Sequence, residues 1–322
     1  METKKDDLLT ALSGGHPKNV VWAEMDISPE LKKHFLKEVP PGLTFEEHFG
    51  IANYICGALC PPGIVEWGIS PSGRKWVKRG LLRTRSDLYR IKESFPDPHN
   101  SSLYKQIREE LKRGPKTLAK CVITDLGAGA SLVSMGVDGF SYALIDDRSF
   151  VEEVFLRHAE WSAVVHKNLC SMGVDFIWSG GDIAFRSGPF FSPEVFRTVI
   201  LPALQISADA ISVPWVYHSD GNLMPILEDL LSLGMDALHP FEPEVMDIIT
   251  VKKTHKNLCV IGNVSIDLLA QGTPDKVEEV TKNLIYNLHP MGGYIISSSN
   301  AITDYVAPEN FYVMSRCIKK FQ

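Results

Sequence analysis

His218 ends the apolar run VPWVYH and is followed by Ser-Asp-Gly-Asn, which places Asp220 two residues on. If the strand persists, both side chains project to the same side. A histidine with a neighbouring carboxylate can ligate a metal ion or move a proton. The plainer alternatives are a buried, hydrogen-bonded ring for His218 and capping of the next helix for Asp220. Asp182 lies in SGGDIAF, where adjacent glycines let a ligand or backbone approach closely, unless the residue only shapes a turn. Glu242 stands between prolines in HPFEP, and His239 opens the same loop. His218, Asp182, Asp220 and Glu242 are therefore the candidate catalytic residues.

The elements that must hold them alternate along the chain. Strand-like runs occupy 18–26, 120–127, 174–182, 213–221, 235–243, 258–264 and 292–300, and 63–69 with 74–85 read as a hairpin-like excursion. Between them lie amphipathic stretches with helix signals. Ser149 and Glu152 form a capping-box pattern opening a helix that closes at Gly173. Ser192-Pro193 and Thr273-Pro274 place a cap residue before a first-turn proline. Strand, polar tip, helix and glycine in repetition is the rhythm of a parallel sheet. The expected fold class is α/β, a (β/α)8 TIM barrel with a helical N-terminal extension. It forms a single domain over 1–322, with 1–115 as cap and first strands and 116–322 as the main barrel.

In such a barrel, chemistry sits at the carboxyl ends of the strands. The polar residues there are Glu24 and Asp26, Glu66 with Trp67, Asp125, Asp182, His218, Asp220, His239, Glu242, Asn263 and the 297–300 run. This set is acidic and offers no phosphate cradle. Of these, Glu66, Trp67, Asp125, His239 and Asn300 are assigned to substrate binding, together with Arg186 in AFRSG.

The 322 residues are 44% hydrophobic and 22% charged, which is a globular balance. A net charge of −6 disfavours a general nucleic-acid binder. No apolar run is long enough to span a membrane, and the opening METKKDDLLTALSGG has no signal-peptide core. Most of the six cysteines read as small buried hydrophobes, so a cytoplasmic protein is expected. Cys56 and Cys60 have the spacing of one helical turn, without a second pair at zinc-finger distance.

Four stretches resemble the uroporphyrinogen decarboxylase superfamily: 180–204, 218–243, 261–280 and 292–311. The Gly-rich segment 125–147 resembles an earlier part of the family pattern. The resemblance covers about 120–315 and implies a (β/α)8 barrel. The decarboxylases carry an arginine-rich N-terminal motif, whereas VVWAEMDISPEL (20–31) has acids and no arginine. Where they resemble GHGI, this chain reads SNAI, with Asn300 in place of the histidine. The resemblance therefore favours the corrinoid-dependent methyltransferase branch. Its thiol-methylating members bind zinc through His-x-Cys and a later cysteine. Here those positions are His218-Ser-Asp220 and Ser297–Ser299.

Zinc, if held, would take His218 and carboxylates, with Asp182 and Glu242 as the metal ligands and Asp220 as a further candidate. Oxygen-rich ligands leave the metal a stronger Lewis acid than thiolates do. The implied reaction moves a methyl group from a small donor, such as a methoxylated aromatic ether, to the cobalt of a corrinoid protein. That corrinoid is carried by a separate partner, since no D-x-H-x-x-G motif is present. Decarboxylase relatives often pair through their open faces, so a homodimer is expected. The alternatives are a decarboxylase of another carboxylic acid, which would use Arg186, and a non-catalytic ligand-binding barrel.

Overall fold

The computed structural model describes residues 3–70 and 75–322. Its strands are β1 Asn53–Ala58, β2 Val65–Ile69, β3 Lys75–Gly80, β4 Ala119–Asp125, β5 Phe176–Gly180, β6 Ala184–Phe185, β7 Gly188–Pro189, β8 Trp215–His218, β9 Ala237–His239, β10 Cys259–Ile261 and β11 Tyr294–Ile295. Seven form one sheet in the order β1-β4-β5-β8-β9-β10-β11, every neighbouring pair parallel. The pairs β2–β3 and β6–β7 are antiparallel hairpins.

Parallel neighbours need crossovers, and helices supply them. Arg148–Ser171 precedes β5, Leu201–Ala208 precedes β8, and Pro274–Leu288 precedes β11. Helices cover one face of the sheet and an inner cluster of side chains fills the other, which explains short strands with continuous burial such as Trp215–His218 and Cys259–Ile261. Alternation divides their side chains. Val122, Ile177, Tyr217, Leu238 and Val260 pack outward in the large core against the helices. Cys121, Phe176, Trp178, Val216, Ala237, Cys259 and Ile261 form a second, inner cluster. Leu8, Ala11 and Leu12 of the helix Lys4–Leu12 join that inner cluster.

The segment around residues 21–24 is extended but forms only isolated bridges, not the full strand expected over 18–26. Ala23 N donates to Ile296 O at 3.2 Å and Ile296 N to Val21 O at 2.9 Å. On its other side Ala52 N donates to Trp22 O at 2.7 Å. The segment thus bonds to the chain beside both edge strands, β11 and β1. Glu24 reinforces the first contact. Its buried carboxylate accepts from Trp22 Nε1 (2.7 Å), Ser298 N (2.9 Å), Ser298 Oγ (2.7 Å) and Ser297 Oγ (3.2 Å).

Several local expectations need correction. The long helix is capped by Asp147, whose carboxylate accepts from Phe150 N at 3.0 Å, rather than by Ser149. Glu152 cannot reach back because it pairs with Arg148 at 3.0 Å. Cys56 lies in β1 and Cys60 beyond it, so they do not share a helical turn. Arg74, the first residue of the expected second hairpin strand, lies outside the described residues. The caps Ser192 and Thr273 are found as expected, and Gly173 takes φ 83° at its helix end. No single helix among the described residues is long and apolar enough to cross a membrane.

Candidate functional site

His218 and His239 are the last residues of β8 and β9 and stand opposite each other in the register. Alternation from Val216 and Ala237 turns both rings to the inner face. Their Nδ1 atoms are 2.8 Å apart, and the rings stack at 5.0 Å with a 29° tilt. The Trp178 indole meets His239 edge-on at 5.0 Å. Both histidines are buried, and burial lowers the proton affinity of each. Burial thus favours the neutral form of each ring, and at 2.8 Å the two Nδ1 atoms can share a single proton.

Nε2 of His218 faces two carboxylates, Asp182 Oδ1 at 3.6 Å and Asp220 Oδ1 at 3.9 Å. Gly180 is the register partner of His218, and a Cβ there would sit 3.5 Å from the His218 Cδ2 atom. The next glycine, Gly181, takes φ +148°, and a Cβ there would lie 2.9 Å from Gly129 N. This bend leads directly to Asp182, which accepts from Asp220 N at 3.0 Å.

Asp220 does not cap a helix. The next helical turn begins at Met224, with Asn222 Oδ1 accepting from Met224 N. The Asp220 carboxylate is therefore free for the site. Asn300 Nδ2 donates to its Oδ2 at 2.6 Å, while Oδ1 is buried with no hydrogen-bond partner. Burial pushes its pKa up to about 7, helped by the charges of Asp182 and Glu242, and the Asn300 bond opposes the rise. Asp125 lies nearby in a cradle of backbone N–H groups from Gly127 and Ala130, and burial raises it to about 6.

The other expected site residues are placed differently. Glu242 is held by Gly221 N at 2.8 Å and acts on Asp220 through its charge. It is not in the tight group of donors. Among the described residues that group is Asp182, His218 and Asp220, whose ligand atoms all lie within 4.8 Å of one another. His239, expected at the substrate, is instead fully buried behind His218. Glu66 and Trp67 sit on the β2–β3 hairpin. Glu66 spends its charge on Lys78 and Arg79, both at 2.6 Å, and Trp67 is largely exposed. Arg186 is exposed on the β6–β7 hairpin and stands 3.8 Å from Glu244. The ion pairs of Glu66 and Arg186 are thus made to Lys78, Arg79 and Glu244. Ser297 and Ser298 donate to Glu24, and Ser299 Oγ accepts from Ile266 N, so the serines serve the framework.

The cluster fits a divalent cation on its own terms. It offers one imidazole nitrogen and carboxylate oxygens, a set zinc accepts in catalytic sites. One of those oxygens, Asp220 Oδ1, is an orphaned buried acceptor.

The family model for uroporphyrinogen decarboxylase (URO-D) matches residues 102–321. The chain belongs to the uroporphyrinogen decarboxylase family. Among curated proteins, none matches the sequence significantly. Among solved structures, a methyltransferase from Methanosarcina mazei is 17% identical, with a TM-score of 0.77 over 100% of this chain and 99% of that one. A B12-independent methionine synthase from Shewanella sp. W3-18-1 is 9% identical, with a TM-score of 0.52 over 94% and 96%. Both are likenesses of fold.

Proposed function

We propose that this family member is a methyltransferase that passes a methyl group from a small methylated donor to the cobalt of a corrinoid carried by a partner protein. The observation that carries the reading is the Asp182–His218–Asp220 cluster. An acidic cluster repels a polycarboxylate, and the one arginine expected to bind such a substrate, Arg186, is exposed beside Glu244. The same cluster suits a divalent ion. We read the bonds of segment 21–24 to both edges as the eighth stave of a (β/α)8 barrel forming one domain.

Asp182, His218 and Asp220 would hold zinc, which when bound would supply Lewis acidity to a leaving oxygen. Asn300 orients Asp220, and the Gly221 N–H orients Glu242 at the rim. In the transfer from a methyl ether, the C–O bond breaks and the oxygen keeps the bonding pair. The methyl group leaves as a cation equivalent to the reduced cobalt of the partner. Charge then develops on the oxygen beside the cluster, where stabilisation is worth most.

The test is elemental analysis of wild type and His218→Ala, followed by methyl ethers with cob(I)alamin. About one zinc per chain, lost in the variant, with methyl transfer in the wild type, supports the reading. A metal-free wild type that transfers no methyl group from any ether removes it.

A further inference from the structure

We propose that His239 is a positioning residue that fixes the ring orientation and tautomer of His218, so that Nε2 of His218 turns its lone pair toward Asp182 and Asp220. The inference deepens the metal-site reading and takes its purpose from it. Its geometry stands independently.

Two neutral rings sharing one Nδ1–Nδ1 bond allow two arrangements. Either His218 donates through Nδ1 and keeps a bare Nε2, or His239 donates and His218 carries Nε2–H. A cation held between His218 and the carboxylates requires the first, because it needs the bare Nε2. A protonated Nε2 between two carboxylates would draw one of them to roughly 2.8 Å. The observed separations are 3.6 and 3.9 Å, a gap on both sides. That gap is the space a ligand atom of a cation site leaves.

The Cδ2 edge of the ring faces Gly180, where a Cβ would make ordinary van der Waals contact at 3.5 Å. A half-turn of the ring would place Nδ1 at Gly180 and break the bond to His239. His239 is held in turn by the Trp178 indole, at 5.0 Å and 89°. Trp178, His239 and His218 thus form a buried stack that delivers one nitrogen to the acidic pair. A ligating histidine fixed through its other nitrogen is a general device for setting ring orientation.

The test uses the full chain labelled with 15N-histidine, as wild type, His239→Asn and His239→Phe. Asparagine places an amide oxygen near the Nδ1 position and can still accept from His218. Phenylalanine keeps a stacked ring and removes the acceptor. The expected NMR result is a protonated Nδ1 and a bare Nε2 on His218 in wild type and His239→Asn, with mixed tautomers in His239→Phe. Zinc affinity, measured by chelator competition, should fall about 10–100-fold in His239→Phe and stay within about threefold in His239→Asn.

A bare Nδ1 on His218 in the wild type overturns the proposal. So does a His239→Phe protein that matches wild type in tautomer. If wild type binds no zinc, the metal reading fails while the tautomer result still decides this one. Should His239→Phe fail to fold, His239→Gln, whose polar atoms lie too far out to meet Nδ1, gives the same contrast with His239→Asn.

Discussion

Replacing Asp220 by asparagine should stabilise the metal-free protein at high pH and leave it nearly unchanged in acid. The ordinary aspartate value of 3.8 becomes about 7 at this position. At about 1.4 kcal/mol per pKa unit, full burial would make that roughly 4 kcal/mol. The side chain is 33% exposed, and solvent screening brings the figure to about 2 kcal/mol. The folded state binds this proton more tightly than the unfolded chain does. The stabilisation is therefore complete below about pH 4 and is lost as pH rises through about 7. Asparagine carries no charge at any pH, keeps an oxygen for Asn300, and brings an amide toward Asp182. Glu24 and Asp125 also have raised pKa values, but they are common to both proteins and drop out of the difference. Thermal melting in the presence of chelator is the assay. Between pH 5 and pH 8 the Tm of Asp220→Asn should rise relative to wild type by about 2–4 °C. With zinc added at pH 8 the order should reverse, because the variant has lost a ligand charge. A Tm difference that does not change with pH, or one that moves against the variant as pH rises without metal, would refute the electrostatic account.

Gly129→Ala should cost more than about 2 kcal/mol, because its Cβ would lie 2.7 Å from Gly181 Cα and 2.8 Å from Asp125 Oδ2; urea unfolding measures it. Asn300→Ala removes the bond that opposes protonation of Asp220, so zinc affinity should fall about tenfold, and more at pH 6 than at pH 8 in chelator competition. Arg186→Ala should change stability by less than about 0.5 kcal/mol, since its pair with Glu244 is exposed and loose. It should also leave KM for a methyl donor unchanged, whereas a carboxylate substrate bound by Arg186 would show a large rise.

The parallel sheet was legible because its strands are buried on both faces and stand out as apolar runs. Six of the expected strands, from 120–127 to 292–300, correspond to β4, β5, β8, β9, β10 and β11. Their expected ends ran too far because polar tips such as Ser219–Gly221 continue the chain without continuing the ladder. β1 was missed because NYICGA lacks clean alternation, and its two nearby cysteines invited a helical reading. At the site, His218, Asp182 and Asp220 come together as their strand-end positions implied. The role of His239 was hidden, since it depends on the β8–β9 register, which no local pattern fixes. Glu66 and Trp67 resembled strand-end residues in sequence. They belong to a hairpin whose own cations, Lys78 and Arg79, claim the carboxylate.

Glu24 carries a consequence for how the chain is made. Its bonds to Ser298 join residues 274 positions apart. During synthesis, VVWAE emerges long before Ser297 and Ser298 exist to receive it. In that interval its backbone groups have no partner on one side, the condition under which strands pair with the wrong chain. In water Glu24 is ionised, and a charge on an unpaired edge discourages such pairing. The last strand then arrives with two hydroxyls and an N–H for that same carboxylate, and burial weakens the charge that kept the edge apart. One side chain thus guards the nascent edge and later fastens it.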